Sequence, residues 1–242
     1  MIELGDLREG ILPGSLVDFY EAVFRLPNIK VIGIGTNLGC LSGAPPTVDQ
    51  LMQLVLYREL LELKFRRPLP LISAGSSVIL PMLIDGQTPK KINHFRIGES
   101  LFLGTDLVHG GALPDLRDDV MLLDVEIVEL KEKGMSPVGE TGMTSPFQTI
   151  QPEETTPGQR GYRALVSIGQ LDTEISGLIP TNPQYQIVGA SSDITVVNLS
   201  ENPYNLSVGD TVTFRMNYAA LLRLMSSRYV TKEVITESEK QI

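Results

Sequence analysis

Four times within its first 110 residues the chain passes through a short apolar segment, a glycine-bearing loop and an amphipathic stretch. That order is the signature of parallel strands joined by crossover helices. Residues 29–36 (IKVIGIGT) are β-branched and end in glycines; residues 47–66 follow with a Thr47 cap, Asp49 in the first turn and apolar positions three and four apart. Residues 69–74 lead through Gly75-Ser76-Ser77 into a predicted helix over 78–85, and residues 92–97 lead through Gly98 into one over 100–107. Residues 2–5 form a further strand-like piece ahead of a helix over about 14–25.

After Leu113-Pro114 the period changes. Residues 122–130 (LLDVEIVEL) and 193–199 alternate at period two, as strands with one buried face do, and proline and glycine clusters separate them. Residues 134–161, rich in proline, threonine and glycine, read as a loop excursion between strands. The fold class is thus α/β plus all-β, with residues 1–113 as the α/β part and 114–242 as a β-domain. Parallel strands of the first kind sit in a sheet covered on both faces or close into a barrel, and four units do not close one. Earlier strands in the complete protein are the expected cover for the edge that four units leave.

Composition narrows the partners. A formal charge of −9, with no long Lys/Arg cluster, argues against nucleic acid. No apolar run reaches the ~18 residues needed to cross a bilayer, and MIELGDLREG has acids where a signal peptide is basic. A lone cysteine, Cys40, excludes an intramolecular disulfide and fits a reducing compartment, so a cytoplasmic location is expected. Neither His94 nor His109 stands at ligand spacing with a cysteine or acid, and no metal is implied.

Gly75-Ser76-Ser77 and Gly98-Glu99-Ser100 both fall where a strand gives way to a helix, so backbone N–H groups and helix dipoles converge there on an anion. In an eight-stranded barrel the last two such loops commonly hold a phosphate. The plain alternative is that Gly and Ser make turns and caps. Arg96, two residues before Gly98, points to the same face as that glycine, and by itself it reads as half of an ion pair with a carboxylate from a neighbouring strand.

At these residues a family resemblance becomes specific. ISAGSSVILP followed by NHFRIGESLFLG is similar to the last two strands of the alanine-racemase fold. GDLREG at 5–10, GIGTNLGC at 33–40, GASSD at 189–193 and FRMNYAALLR at 214–223 resemble the ornithine-racemase branch of that family of pyridoxal 5′-phosphate (PLP) enzymes. The six segments keep the family's order and span essentially the whole chain. The resemblance implies the second half of a PLP-binding (β/α)8 barrel followed by a C-terminal β-domain, working on an amino acid by removal and return of its α-proton. It implies that Arg96 hydrogen-bonds the pyridine nitrogen, and that the phosphate lies on Ser76 and the N–H groups of Gly98 and Glu99, reached also by Tyr218. Thr36 and Asn37 would sit beside the ring, and Arg8 near the phenolic oxygen and the substrate carboxylate. Asp193, with Ser192 beside it, matches an acid at the substrate mouth; a carboxylate there suits the distal ammonium of ornithine or another basic amino acid, while a turn residue opening a strand is the plain reading.

Two departures limit what the resemblance implies. The family's Schiff-base lysine ends the first barrel strand, in a region this chain does not contain, and none of its eight lysines matches. The second proton-transfer residue, a tyrosine from the partner subunit in alanine racemases, aligns with Val138-Gly139-Glu140; Glu140 could serve as acid/base if burial raised its pKa. The family's active sites are shared across a homodimer, so the complete protein is expected to dimerise, and this chain alone is expected to be inactive. The alternatives are a non-catalytic chain that binds PLP or a phosphate, one half of a split enzyme, and an incomplete gene model.

Overall fold

A computed structural model of the protein describes residues 1–135 and 158–236. The chain divides into two compact units, Met1–Asp118 and Asp119–Ile242.

In the first unit a parallel pair, β1 (Gly33–Thr36) and β2 (Leu71–Ala74), places Gly33 opposite Leu71 and Thr36 opposite Ala74. The helices are α1 (Leu16–Phe24), α2 (Val48–Phe65), α3 (Leu80–Ile84) and α4 (Glu99–Leu103). The α2 helix starts where a capping box forms: Thr47 Oγ1 accepts from Gln50 N, and the Gln50 side chain accepts from Thr47 N. One face of α2 buries Leu51, Leu54, Val55 and Leu61 against Ile34, Leu38 and Ile72 of the core. Each of those fully buried side chains stabilises the unit by about 1.5–3 kcal/mol.

Four expected elements come out shorter, each for a local reason. The ladder of the 29–36 segment is confined to Gly33–Thr36, because its partner strand is preceded by Pro68 and Pro70, which have no N–H to donate. Residues 92–97 run beside β2 with a single parallel bridge, Ser73 to His94. Ala74 N donates to His94 O at 3.0 Å and His94 N to Ile72 O at 3.2 Å around that bridge, and ahead of it the Asn93 side chain carries the pairing, accepting from Ile72 N at 2.9 Å and donating to Pro70 O at 2.8 Å. Residues 2–5 likewise make one bridge, Ile2 to Ile11, with Ile2 N donating to Gly35 O at 2.7 Å. The chain doubles back there through Gly10, at φ +131°, where an added Cβ would lie 2.6 Å from Glu3 N. The helix expected over 100–107 stops at Leu103, since Gly104 at φ +66° caps it in the left-handed conformation.

The second unit is an antiparallel sheet of β3 (Leu123–Gly134), β4 (Arg160–Val166), β5 (Leu178–Pro180), β6 (Gln186–Ala190), β7 (Thr195–Asn198) and β8 (Thr211–Met216), in the order β5-β8-β3-β4-β7-β6. The period-two pattern of β3 buries Leu123, Val125 and Ile127. A register shift between Ile127 and Glu129 lets its first half pair with β8 while its second half pairs with β4. A final helix, α5 (Tyr218–Ser226), follows β8 with Asn217 as its cap.

Candidate active site

The residues of interest in the first unit gather around the Arg96 guanidinium. Nη2 donates to Thr36 O and to Asn37 Oδ1, both at 3.0 Å, and Nη1 donates to Ser73 Oγ. Strand ends supply all three acceptors: Thr36 closes β1, Asn37 follows it, and Ser73 lies in β2. All three are neutral, so the carboxylate partner that Arg96 alone suggested is replaced by oxygen dipoles. Burial lowers the pKa of Arg96, and Glu9 nearby works against that shift. Its Nε–H meets no acceptor among the described residues and remains available. Thr36 and Asn37, expected beside a cofactor ring, are buried and reach Arg96 itself; Thr36 does so through its backbone carbonyl. Ser73 Oγ also lies 2.8 Å from His94 Nδ1.

The two glycine loops are tied together by a side chain that sequence reasoning passed over. Ser77 Oγ, buried, accepts from Gly98 N and Ser100 N, each at 3.2 Å. Gly98 N–H, expected to face a phosphate, is therefore engaged within the protein. Ser76 Oγ and Glu99 N–H have no partner among the described residues. Gly75, at φ +74°, makes the turn that brings Ser76 to the end of β2. Burial pushes the Glu99 carboxyl above its ordinary pKa. A ring nitrogen could therefore use Arg96 Nε–H, and a phosphate could use Ser76 Oγ and Glu99 N–H. The unused donors fit the acceptor groups of PLP.

Arg8 stands half-exposed in a loop braced by Glu3, whose Oε1 accepts from Gly5 N and from Leu7 N. Its guanidinium donates to Glu9 and, at 2.8 Å, to Cys40 Sγ. Asp6 was also overlooked. It is only 1% exposed, and its carboxylate accepts from Leu41 N at 3.0 Å, Ser42 N at 3.2 Å, Ser42 Oγ at 3.3 Å and Asn37 Nδ2 at 3.4 Å. Burial alone would raise its pKa; the Leu41 and Ser42 donors and Arg8 outweigh it and hold the carboxyl below the usual aspartate value. An acid flanked by Gly5 and Leu7 was the available signal.

The remaining candidates belong to the second unit. Tyr218 is 40% exposed and opens α5, whose first turn is fixed by Asn217 Oδ1 accepting from Ala220 N at 2.9 Å. Ser192 and Asp193 lie in the turn between β6 and β7, where Ser192 Oγ donates to Asp193 Oδ1 at 2.9 Å. That turn is held against residues 169–171 by Gln170 N to Ser191 O and Leu171 N to Ser192 O. Asp193 remains exposed. Glu140 lies outside the described residues. Among the described residues no group of three His, Cys, Asp or Glu side chains could hold a metal, and no helix is long and apolar enough to cross a membrane.

Sequence comparison decides the family. Ornithine racemase from Acetoanaerobium sticklandii is 39% identical over 236 residues, spanning 97% of this chain and 66% of that protein. The chain belongs to the alanine-racemase-fold family of amino-acid racemases. Lysine racemase from Thermotoga maritima, another member, is 33% identical over 234 residues, spanning 96% of this chain and 64% of its own. The chain thus covers about two thirds of the length of these curated relatives. Alanine racemase from Streptomyces coelicolor A3(2) superposes with a TM-score of 0.59 at 17% identity, covering 94% of this chain and 61% of that one. Alanine racemase from Corynebacterium glutamicum gives 0.57 at 20% identity and 60% of its chain. No family model matches the chain. The two units correspond to the later βα units of the barrel and the C-terminal β-domain of this fold.

Proposed function

We propose that the chain provides the cofactor ring and phosphate seat of a PLP-dependent racemase acting on basic amino acids. The observation that carries this reading is the Arg96 clamp, three neutral acceptors holding the guanidinium with Nε–H unspent, in a chain 39% identical to an ornithine racemase. PLP, when bound, supplies an electron-withdrawing ring that acidifies the α-hydrogen of the amino acid joined to it. Arg96 would hold the ring nitrogen through Nε–H and, as a guanidinium, keep its proton. A ring nitrogen that stays unprotonated withdraws charge only partly, which suits reversible proton removal better than reactions needing a fully delocalised carbanion. Ser76 Oγ and Glu99 N–H would take the phosphate, joined by Tyr218 from the β-domain. Arg8 would face the substrate carboxylate.

The substrate reading rests on Asp193 and on the two relatives' names, ornithine and lysine, both amino acids with a distal ammonium. An exposed carboxylate in a firmly held turn suits that ammonium. Glu140 is the candidate for the second acid/base. The lysine that anchors the cofactor would come from outside this chain, and in the complete enzyme two copies would assemble head to tail.

The test is a PLP titration of the 242-residue chain followed by borohydride. Saturable binding that leaves no label after borohydride and no racemisation of ornithine is the expected result. Label fixed to any of the eight lysines would overturn the assignment of the anchoring lysine to another segment, and absence of binding would overturn the cofactor seat.

A further inference from the structure

We propose that Asp6 is a positioning residue: its carboxylate sets the polarity of the Asn37 amide and thereby which Arg96 donor is left to face a ligand. The consequence for a ligand rests on the PLP reading above; the relay itself rests on geometry within the first unit.

A carboxylate 1% exposed must be met by donors. Oδ1 of Asp6 is met by Leu41 N, Ser42 N and Ser42 Oγ. Oδ2 faces Asn37 Nδ2 at 3.4 Å, with Arg8 Nε at 4.0 Å. An ionised carboxylate only accepts, so Asn37 turns its NH2 towards Asp6 and its carbonyl oxygen the other way. That oxygen lies 3.0 Å from Arg96 Nη2. The opposite amide orientation would set oxygen against carboxylate on one side and NH2 against guanidinium on the other, so both contacts would turn repulsive together. Asn37 is buried and has no water to soften either clash. With Asn37 oriented, Thr36 O and Asn37 Oδ1 occupy Nη2, and Ser73 Oγ takes one proton of Nη1. Nε–H and the second Nη1 proton are the donors left without an acceptor among the described residues. Asp6 touches neither a ring nor a phosphate, yet it decides how the guanidinium is presented.

Asp6→Asn is the discriminating variant. It is nearly isosteric and keeps an oxygen for Leu41 and Ser42, but it sets an NH2 against Asn37, which then turns over and offers Arg96 a donor. Asn37→Ala removes the link while leaving Asp6 its other donors. Two measurements are made on wild type and both variants as the 242-residue chain. The first, without ligand, follows the Arg96 Nη protons by NMR: they should be resolved and slow to exchange in the wild type and averaged in both variants. The second compares dissociation constants for PLP and for the analogue with C–H in place of the ring nitrogen. The wild type should prefer PLP by about tenfold, the worth of one hydrogen bond to a charged group. Both variants should lose that preference while affinity for the carbon analogue holds within about twofold. Equal weakening of both ligands, as from a disturbed loop, overturns the proposal, as do Arg96 Nη signals unchanged in the variants. If the wild type binds neither compound, the PLP reading fails, and the NMR comparison alone then supports or overturns the relay.

Discussion

Ser76 and Ser77 are adjacent, chemically identical and committed to different tasks, so replacing each by alanine separates structure from ligand binding. Ser77 Oγ is the acceptor for Gly98 N and Ser100 N at 3.2 Å each. Ser100 is fully buried, so in Ser77→Ala its N–H has no water to turn to, a cost of about 1–3 kcal/mol. Gly98 is half-buried and regains water, which adds about 0.5 kcal/mol. The total, about 1.5–3.5 kcal/mol, corresponds to exchange of the Ser100 amide on the order of 10- to 400-fold faster. Ser76 Oγ holds nothing among the described residues, so Ser76→Ala should leave that exchange and urea unfolding within about 0.5 kcal/mol of wild type. It should instead weaken PLP binding about tenfold, the loss of one hydrogen bond to a phosphate oxygen. Amide hydrogen exchange by NMR and a PLP titration on each variant read the two effects separately. Ser100 exchange unchanged by Ser77→Ala, or a Ser76→Ala variant as unstable as Ser77→Ala, would refute the division of labour.

Other outcomes follow from single contacts. Thr47→Ala removes the capping box at the start of α2 and should cost the first unit about 1 kcal/mol in urea unfolding, with Thr47→Ser restoring it. Asp6 has a depressed pKa, so its contribution to stability is fully present above the ordinary aspartate value near ~4 and is lost as pH falls through the lower folded value. Protection of the Leu41 and Ser42 amides, corrected for intrinsic exchange, should fall in that acid window; constant protection through it would contradict the bonds to Asp6. In the enzyme completed with the lysine-bearing segment, Asp193→Ala should lower the ornithine-to-alanine ratio of kcat/KM about tenfold or more. An unchanged ratio would remove Asp193 from the substrate site.

The fold was legible where side chains write a period. The Thr47 cap and the three-and-four spacing place α2 to within a residue, and the alternation over 122–130 marks β3. It was less legible where one side chain does the backbone's work. Residues 92–97 look like a strand because their apolar pattern is that of one, but the pattern does not say that the backbone pairing is short and that the Asn93 side chain extends it by bonding Ile72 N and Pro70 O. The same limit governs the site. The glycine loops brought Ser76 and Arg96 into view, and the family resemblance added Thr36 and Asn37. They said nothing of Ser77 or Asp6, whose roles depend on partners 21 to 36 residues away.

Arg96 shows why contact geometry changes the chemistry read from the same residues. A guanidinium paired with a carboxylate is neutralised, and its bidentate bonds spend the face a ligand would need. Held by a main-chain carbonyl, an amide and a hydroxyl, Arg96 keeps its full charge and a free Nε–H. Negative charge acts on it from further off: Glu9 favours the charged form through space, and Asp6 stands behind Asn37. That separation offsets part of the cost of burying the cation without placing a base next to the guanidinium. The arrangement favours a donor that binds a ring nitrogen and does not protonate it.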